Sequence, residues 1–258
     1  MIHVAEHWFE SEGTRLYAVE RGHGQPIVFL HGGLADHRAA VHAVGQLGAS
    51  FRLITPDLRG SGRSHDAGPL SWDRLADGVA ALLDQLGLER AVIGGTSAGS
   101  AVALRFALRW PKRCAGLLLV SPLYPGEQLG LAEAPRLAME RMDAYAQRAL
   151  REGVAALFPL FEGLPEAIRE RALAMVASFD LASVAAFMRL LASGQQPFAS
   201  LLELRRIEVP TLVVPGIDPQ HPTEVASLYA TNIPKCRVGD AAALVEAIER
   251  FCSDAAQW

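Results

Sequence analysis

The 258-residue chain has only three cysteines, Cys114, Cys236 and Cys252, spread too widely to pair as a metal or redox motif. An odd, scattered set builds no disulfide framework and suits a reducing compartment such as the cytoplasm, so all three read as structural. Neither sign of charge is in excess: 24 basic and 28 acidic residues interleave to a net charge of −4. No basic face is therefore marked for nucleic acid or anionic lipid. Long apolar runs are missing too. Stretches such as Gly116 to Val120 fall far below the roughly 20 residues that cross a bilayer. Met1 to Glu6 lack a basic start and an apolar stretch closed by small residues, the pattern of an export signal.

What is present is a globular composition, half apolar and one fifth charged, with enough apolar surface to offset the entropy of ordering the chain. Residues 7 to 20 alternate about a turn at Glu10 to Thr14 and read as an opening hairpin. Pro26 to Leu30 is a continuous apolar run, expected of a strand buried on both faces and hence of parallel pairing. Strand-like runs then alternate with helical patterns: 51–55, 71–86, 91–94, 97–109 and 117–120. That alternation predicts a doubly wound sheet. The helix from Ser71 is marked by Trp72, Leu75, Val79, Leu82, Leu83 and Leu86 on one stripe, with Ser71 as its cap.

Between Ser121 and Arg206 the strand pattern stops, and three helical stripes replace it, broken by prolines. The spacing predicts an inserted helical layer. The sheet pattern resumes at Pro210 to Pro215, followed by a helix over 222–230, a short strand over 235–238 and a closing helix that carries Leu244, Ala247, Ile248 and Phe251.

The chemistry is concentrated at Gly95-Thr96-Ser97-Ala98-Gly99, between the apolar strand Ala91 to Gly94 and a helix. Flanking glycines relieve crowding around a sharp strand-to-helix turn, so the serine oxygen stands clear at the sheet edge. Upstream, Ile27 to Leu30 delivers His31-Gly32-Gly33 to the same edge. The backbone N–H groups of Gly33 and Ala98 are the candidate pair for an oxyanion, worth roughly 10²–10³ in rate per donor.

Four stretches together resemble the α/β-hydrolase superfamily from about residue 7 to residue 253: His31 to Gly33, Asp57 to Ser64, Gly95 to Gly99, and Val209 to Asp218. The resemblance implies an eight-stranded, mostly parallel sheet with helices on both faces and no cofactor. It divides the chain into a core of residues 1–121 and 207–258 and a helical cap of residues 122–206. It also implies a catalytic serine at Ser97, a triad acid at Asp218, and structural roles for Asp57 and His31. The chain departs from the pattern in one place. The family sets its histidine in a loop after the last strand, and here residues 237–243 contain none; His221 is the one histidine beyond Ser97.

Three placements stay open for the base that takes the serine proton: His221, a displaced upstream histidine, or none. With His221, the acid is Asp218 three residues before it, or else Glu127 or Asp240. The resulting expectation is a serine hydrolase that cleaves a small carboxylic ester or lactone beneath the cap. Carbon–carbon bond hydrolysis, amide hydrolysis and perhydrolysis are chemistries of similar family sites. The reading from another class is a binding protein that keeps the pocket and the serine without an efficient base. Scattered cysteines and histidines without a carboxylate partner at helical spacing predict no metal site. A small-molecule partner, no nucleic acid, no membrane and a monomer or homodimer complete the expectation. Met139, Met142, Phe158, Phe161, Met175, Phe179, Phe187 and Met188 are the residues expected to line the pocket or form the core of the cap.

Overall fold

The computed structural model describes residues 3–123 and 133–255. The strands are β1 (Val4–Ser11), β2 (Thr14–Arg21), β3 (Pro26–Leu30), β4 (Arg52–Pro56), β5 (Ala91–Ser97), β6 (Cys114–Pro122), β7 (Thr211–Val214) and β8 (Cys236–Val238). They form one eight-stranded sheet in the order β1-β2-β4-β3-β5-β6-β7-β8. β2 pairs antiparallel with β1 and β4, and the other neighbours run parallel. The opening hairpin is tighter than its sequence suggested: Glu12 and Gly13 turn the chain with φ of 47° and 73°. Positive φ at both positions matches the right-handed twist of the flanking strands.

Eight helices accompany the sheet among the described residues: α1 (His37–Val44), α2 (Trp72–Gln85), α3 (Ala98–Arg109), α4 (Ala134–Glu152), α5 (Glu166–Val176), α6 (Leu181–Ala192), α7 (Thr223–Asn232) and α8 (Leu244–Ala255). Because side chains alternate along a strand, each parallel strand feeds two cores. Ile27, Phe29, Val92, Leu118 and Val214 face α1 and α8, whereas Val28, Leu30, Ile93, Leu117 and Val213 join the core with α2, α3 and α7. The Ser71 hydroxyl accepts from the Arg74 N–H at 3.2 Å and caps α2. This helix buries Trp72, Leu75, Val79, Leu82 and Leu83, worth about 1.5–3 kcal/mol for each large apolar side chain. The short α1 has no stripe long enough to announce it, and its start is set by the Asp36 carboxylate, which accepts from the Arg38 N–H.

Helices α4, α5 and α6 lie between β6 and β7 in the chain, and their apolar residues join the α2–α3 core. Met188 and Leu191 of α6 meet the loop after β3, where a Cβ on Gly33 would fall 3.0 Å from Leu191 Cδ1 and 3.6 Å from Met188 Cε. β3 lies between β4 and β5, so the chain winds outward in both directions from it. Such a reversal leaves a crevice at the carboxyl ends of the strands, and both glycine-rich segments open there. Among the described residues no single helix is long and apolar enough to cross a membrane.

Candidate active site

Ser97 ends β5 and immediately precedes α3, with φ 54° and ψ −117°. A non-glycine residue in this region is strained, and the neighbouring backbone holds it there. A Cβ on Gly95 would lie 2.5 Å from the Gly99 carbonyl carbon, and one on Gly99 would lie 2.4 Å from Leu30 O. Both glycines are thus required by close backbone approach. Ser100 Oγ donates to Ser97 O at 2.6 Å and accepts from Leu123 N at 3.2 Å, tying the elbow to the end of β6.

His221 Nε2 lies 2.8 Å from Ser97 Oγ. Its Nδ1 faces Asp218, 3.0 Å from Oδ1 and 2.9 Å from Oδ2. With the proton on Nδ1, Nε2 is left free to accept from the serine hydroxyl. The cramped three-residue spacing is solved by a turn after β7: the N–H groups of Gln220 and His221 donate to Asp218 Oδ1 at 2.8 and 3.0 Å. The turn folds back over Gly216, where a Cβ would meet His221 Cβ at 2.3 Å. Desolvation alone would raise the Asp218 carboxyl, but the imidazole and the two N–H groups outweigh it and hold the group below its ordinary range. Its side chain remains half exposed, against 18% for His221.

The other candidate bases and acids are engaged elsewhere. His31 is buried and accepts from Leu58 N at 3.0 Å through Nε2, while Nδ1 donates to Gly32 O at 2.8 Å. Burial pushes its imidazole down, so it is a neutral strut between two loops. Asp57 is likewise buried; it accepts from His37 N and Nδ1, each at 2.7 Å, and from Arg63 N at 2.8 Å. Asp240 is exposed and caps Ala242 N at 2.9 Å. Glu127 lies outside the described residues. His37 pairs with Asp57 and packs its ring edge-on against Tyr17. The potential ligand atoms of Asp36, His37 and Asp57 lie within 4.8 Å of one another, a grouping that helical spacing could not have revealed. Asp36 is taken up by Arg38 and Asp57 by the three N–H groups above. Burial raises the thiols of Cys114, Cys236 and Cys252 to about 12, which suits packing rather than reaction.

Ser97 and His221 open onto a cavity of about 180 Å³, with Gly33 on its wall. Ala98 is the first residue of α3, so its N–H belongs to the helix start that has no intrahelical acceptor. Met139 and Met142 line the cavity, whereas Phe161, Phe179, Phe187 and Met188 are buried in the core. Phe158 is at the surface and Met175 lines a separate groove beside α1. Leu123, Leu191 and Gln220 also line the cavity. Their periodicity carried no sign of this, because the face each offers the site is decided by how the inserted helices and the β7 turn dock.

Residues 25–193 match the family model of the alpha/beta hydrolase fold. The chain is 38% identical over 100 residues to the AB hydrolase superfamily protein YisY of Bacillus subtilis (strain 168), covering 38% of this chain and 37% of that protein. It is 34% identical over 184 residues to the dihydrolipoyllysine-residue acetyltransferase component of the acetoin cleaving system of Pseudomonas putida, covering 65% and 47%. The chain thus spans less than half the length of these two relatives. A thermophilic esterase from Thermogutta terrifontis superposes over 98% of this chain and 99% of its own, with a TM-score of 0.78 and 26% identity.

Proposed function

Because the chain belongs to the alpha/beta hydrolase fold family, we propose that it is a serine hydrolase that cleaves a small carboxylic ester or lactone through an acyl-enzyme. One observation carries the reading: Ser97 Oγ, His221 and Asp218 form a continuous hydrogen-bonded relay, with 2.8 Å between the hydroxyl and Nε2. Ser97 Oγ attacks the carbonyl carbon while its proton passes to His221 Nε2, and Asp218 steadies the imidazolium. The N–H groups of Gly33 and Ala98 take the oxyanion. When the tetrahedral adduct collapses, the bond to the leaving oxygen breaks and Nε2 returns the proton to it. Water then attacks the acyl group with Nε2 as base, releasing the acid and restoring Ser97.

Residues 122–206 act in this reading as a cap over the strand ends, supported by the contact of α6 with the Gly33 loop. The thermophilic esterase among the similar structures favours ester chemistry. No cofactor or metal is called for, and the partner is a small acyl substrate rather than nucleic acid or membrane. We place the protein in the cytoplasm, as a monomer or homodimer. The binding-protein reading starts from the base missing after β8; the 2.8 Å contact of His221, in the turn after β7, with Ser97 supports the hydrolase over it.

Hydrolysis of a short-chain activated ester, read together with covalent labelling by a fluorophosphonate, tests the proposal. Wild type turns over and labels, Ser97→Ala does neither, and His221→Ala stays folded with a rate lower by two decades or more. A wild type that neither turns over nor labels returns the binding-protein reading to first place.

A further inference from the structure

The cavity at Ser97 is small and sided. Its volume of about 180 Å³ is below the roughly 300–1,000 Å³ of sites that enclose drug-sized ligands. Leu123, Met139, Met142 and Leu191 supply apolar wall, and among the described lining residues the only titratable side chain besides the serine is His221. Apart from that pair, Gln220 offers the one polar side chain among the described lining residues. Its backbone is fixed by the 2.8 Å bond to Asp218 Oδ1, while the residue itself is exposed. Gln220 thus brings a carboxamide, donor and acceptor at once, to the cavity lining, next in sequence to the imidazole.

Resting on the ester-hydrolase reading, we propose that the substrate joins a short, uncharged aliphatic acyl group to an alcohol part bearing its own hydrogen-bonding group, which Gln220 recognises. The orientation follows from proton traffic. His221 Nε2 returns its proton to the leaving oxygen, so the alcohol part lies on the side of His221 and Gln220. The acyl chain is left with the apolar wall. A charged acyl group would lose its hydration there without gaining a partner. A longer chain meets Leu191, which is held against the Gly33 loop. Gln220 sets selectivity between alcohols; being solvent-exposed, it discriminates by about tenfold rather than by the 10⁴ of a buried polar site.

Wild-type kcat/KM is measured on p-nitrophenyl esters from acetate to decanoate, and on the monobutyrate of glycerol against propyl butyrate. The expected profile peaks between about four and six carbons and falls at least tenfold by decanoate. Leu191→Ala, or Met142→Ala if the first does not fold, moves the peak to longer chains. Gln220→Leu reduces the preference for the glycerol ester by about tenfold. A flat chain-length profile or an alcohol preference untouched in Gln220→Leu overturns the proposal. A binding arm separates this from failure of the hydrolase reading. Calorimetry on Ser97→Ala should show butyramide bound at least tenfold more tightly than decanamide or succinamate. Binding in that order without any turnover by wild type removes the hydrolase reading and leaves the acyl-site selectivity standing; the reverse order removes the selectivity.

Discussion

Asp218 and His221 are hydrogen-bonded partners within one turn: Oδ1 of the acid accepts from both the backbone N–H and the ring Nδ1 of the same histidine, each at 3.0 Å. Acid and base thus belong to one turn, and the contact of Nε2 with Ser97 joins segments 124 residues apart. Movement of the turn alters the distance from Nε2 to Oγ while leaving the Asp–His pair intact. The arrangement also leaves the acid half exposed, so water screens part of its charge.

Asp218→Asn tests how much a half-exposed acid contributes. The amide nitrogen disfavours the tautomer with the proton on Nδ1, so kcat is expected to fall about 10²–10³-fold, short of the roughly 10⁴ known for a buried triad acid. Steady-state kinetics, with circular dichroism as a check on folding, reads this. A fall under threefold assigns the orienting role to another group.

The elbow makes a steric prediction. Gly99→Ala drives a Cβ to 2.4 Å from Leu30 O and 2.5 Å from His31 O, and backbone cannot swing aside as a side chain can. Overpacking of this kind costs about 1–3 kcal/mol or more. The thermal midpoint should drop, and fluorophosphonate labelling of Ser97 should be lost even below that temperature, since relief comes only by moving the elbow or the loop after β3.

Much of the scaffold was legible in the chain. The apolar run at β3 announced a strand buried on both faces, the runs at β5, β6 and β7 announced further strands, and the 3.6-residue stripe with its Ser71 cap announced α2. Ser97 was legible because glycines on either side of a serine, after a strand and before a helix, satisfy a local steric need. His221 was legible mainly by elimination, and its geometry was not: the pattern of a turn closing over Gly216 involves a contact five residues away that periodicity does not encode. Less visible still were Leu191 against Gly33 and Gln220 in the cavity lining, which arise from docking between distant segments. The pairing of His37 with Asp57, 20 residues apart, was hidden for the same reason.

Asp57 should act on stability rather than chemistry. It is fully buried, and although desolvation would raise its carboxyl, the bonds from His37 and Arg63 hold it below the ordinary value. A depressed folded pKa stabilises above the unfolded value of about 3.9 and loses that contribution as pH falls through the lower folded value. Asp57→Ala strands those donors and is expected to cost about 3 kcal/mol at pH 7. Urea unfolding across pH should show a constant gap between wild type and variant above about pH 5, narrowing below pH 4. A gap independent of pH down to 2 would mean that ionised Asp57 contributes nothing beyond its shape.

Arg38 joins the helical insertion to the sheet layer. Held by Asp36 at α1, its Nη2 donates to Met175 O at 3.1 Å in the last turn of α5 and to Ser178 Oγ at 2.9 Å just beyond it. The side chain is 48% exposed, so the pair adds at most about 1 kcal/mol to global stability. Its effect should instead be local, because opening of a layer costs less than unfolding the core and is sensitive to single tethers. Hydrogen exchange in Arg38→Ala is therefore expected to quicken severalfold over residues 166–178 while β3, β5 and β6 keep wild-type protection. Equal acceleration across the sheet would make Arg38 a support of the whole fold and remove the tether.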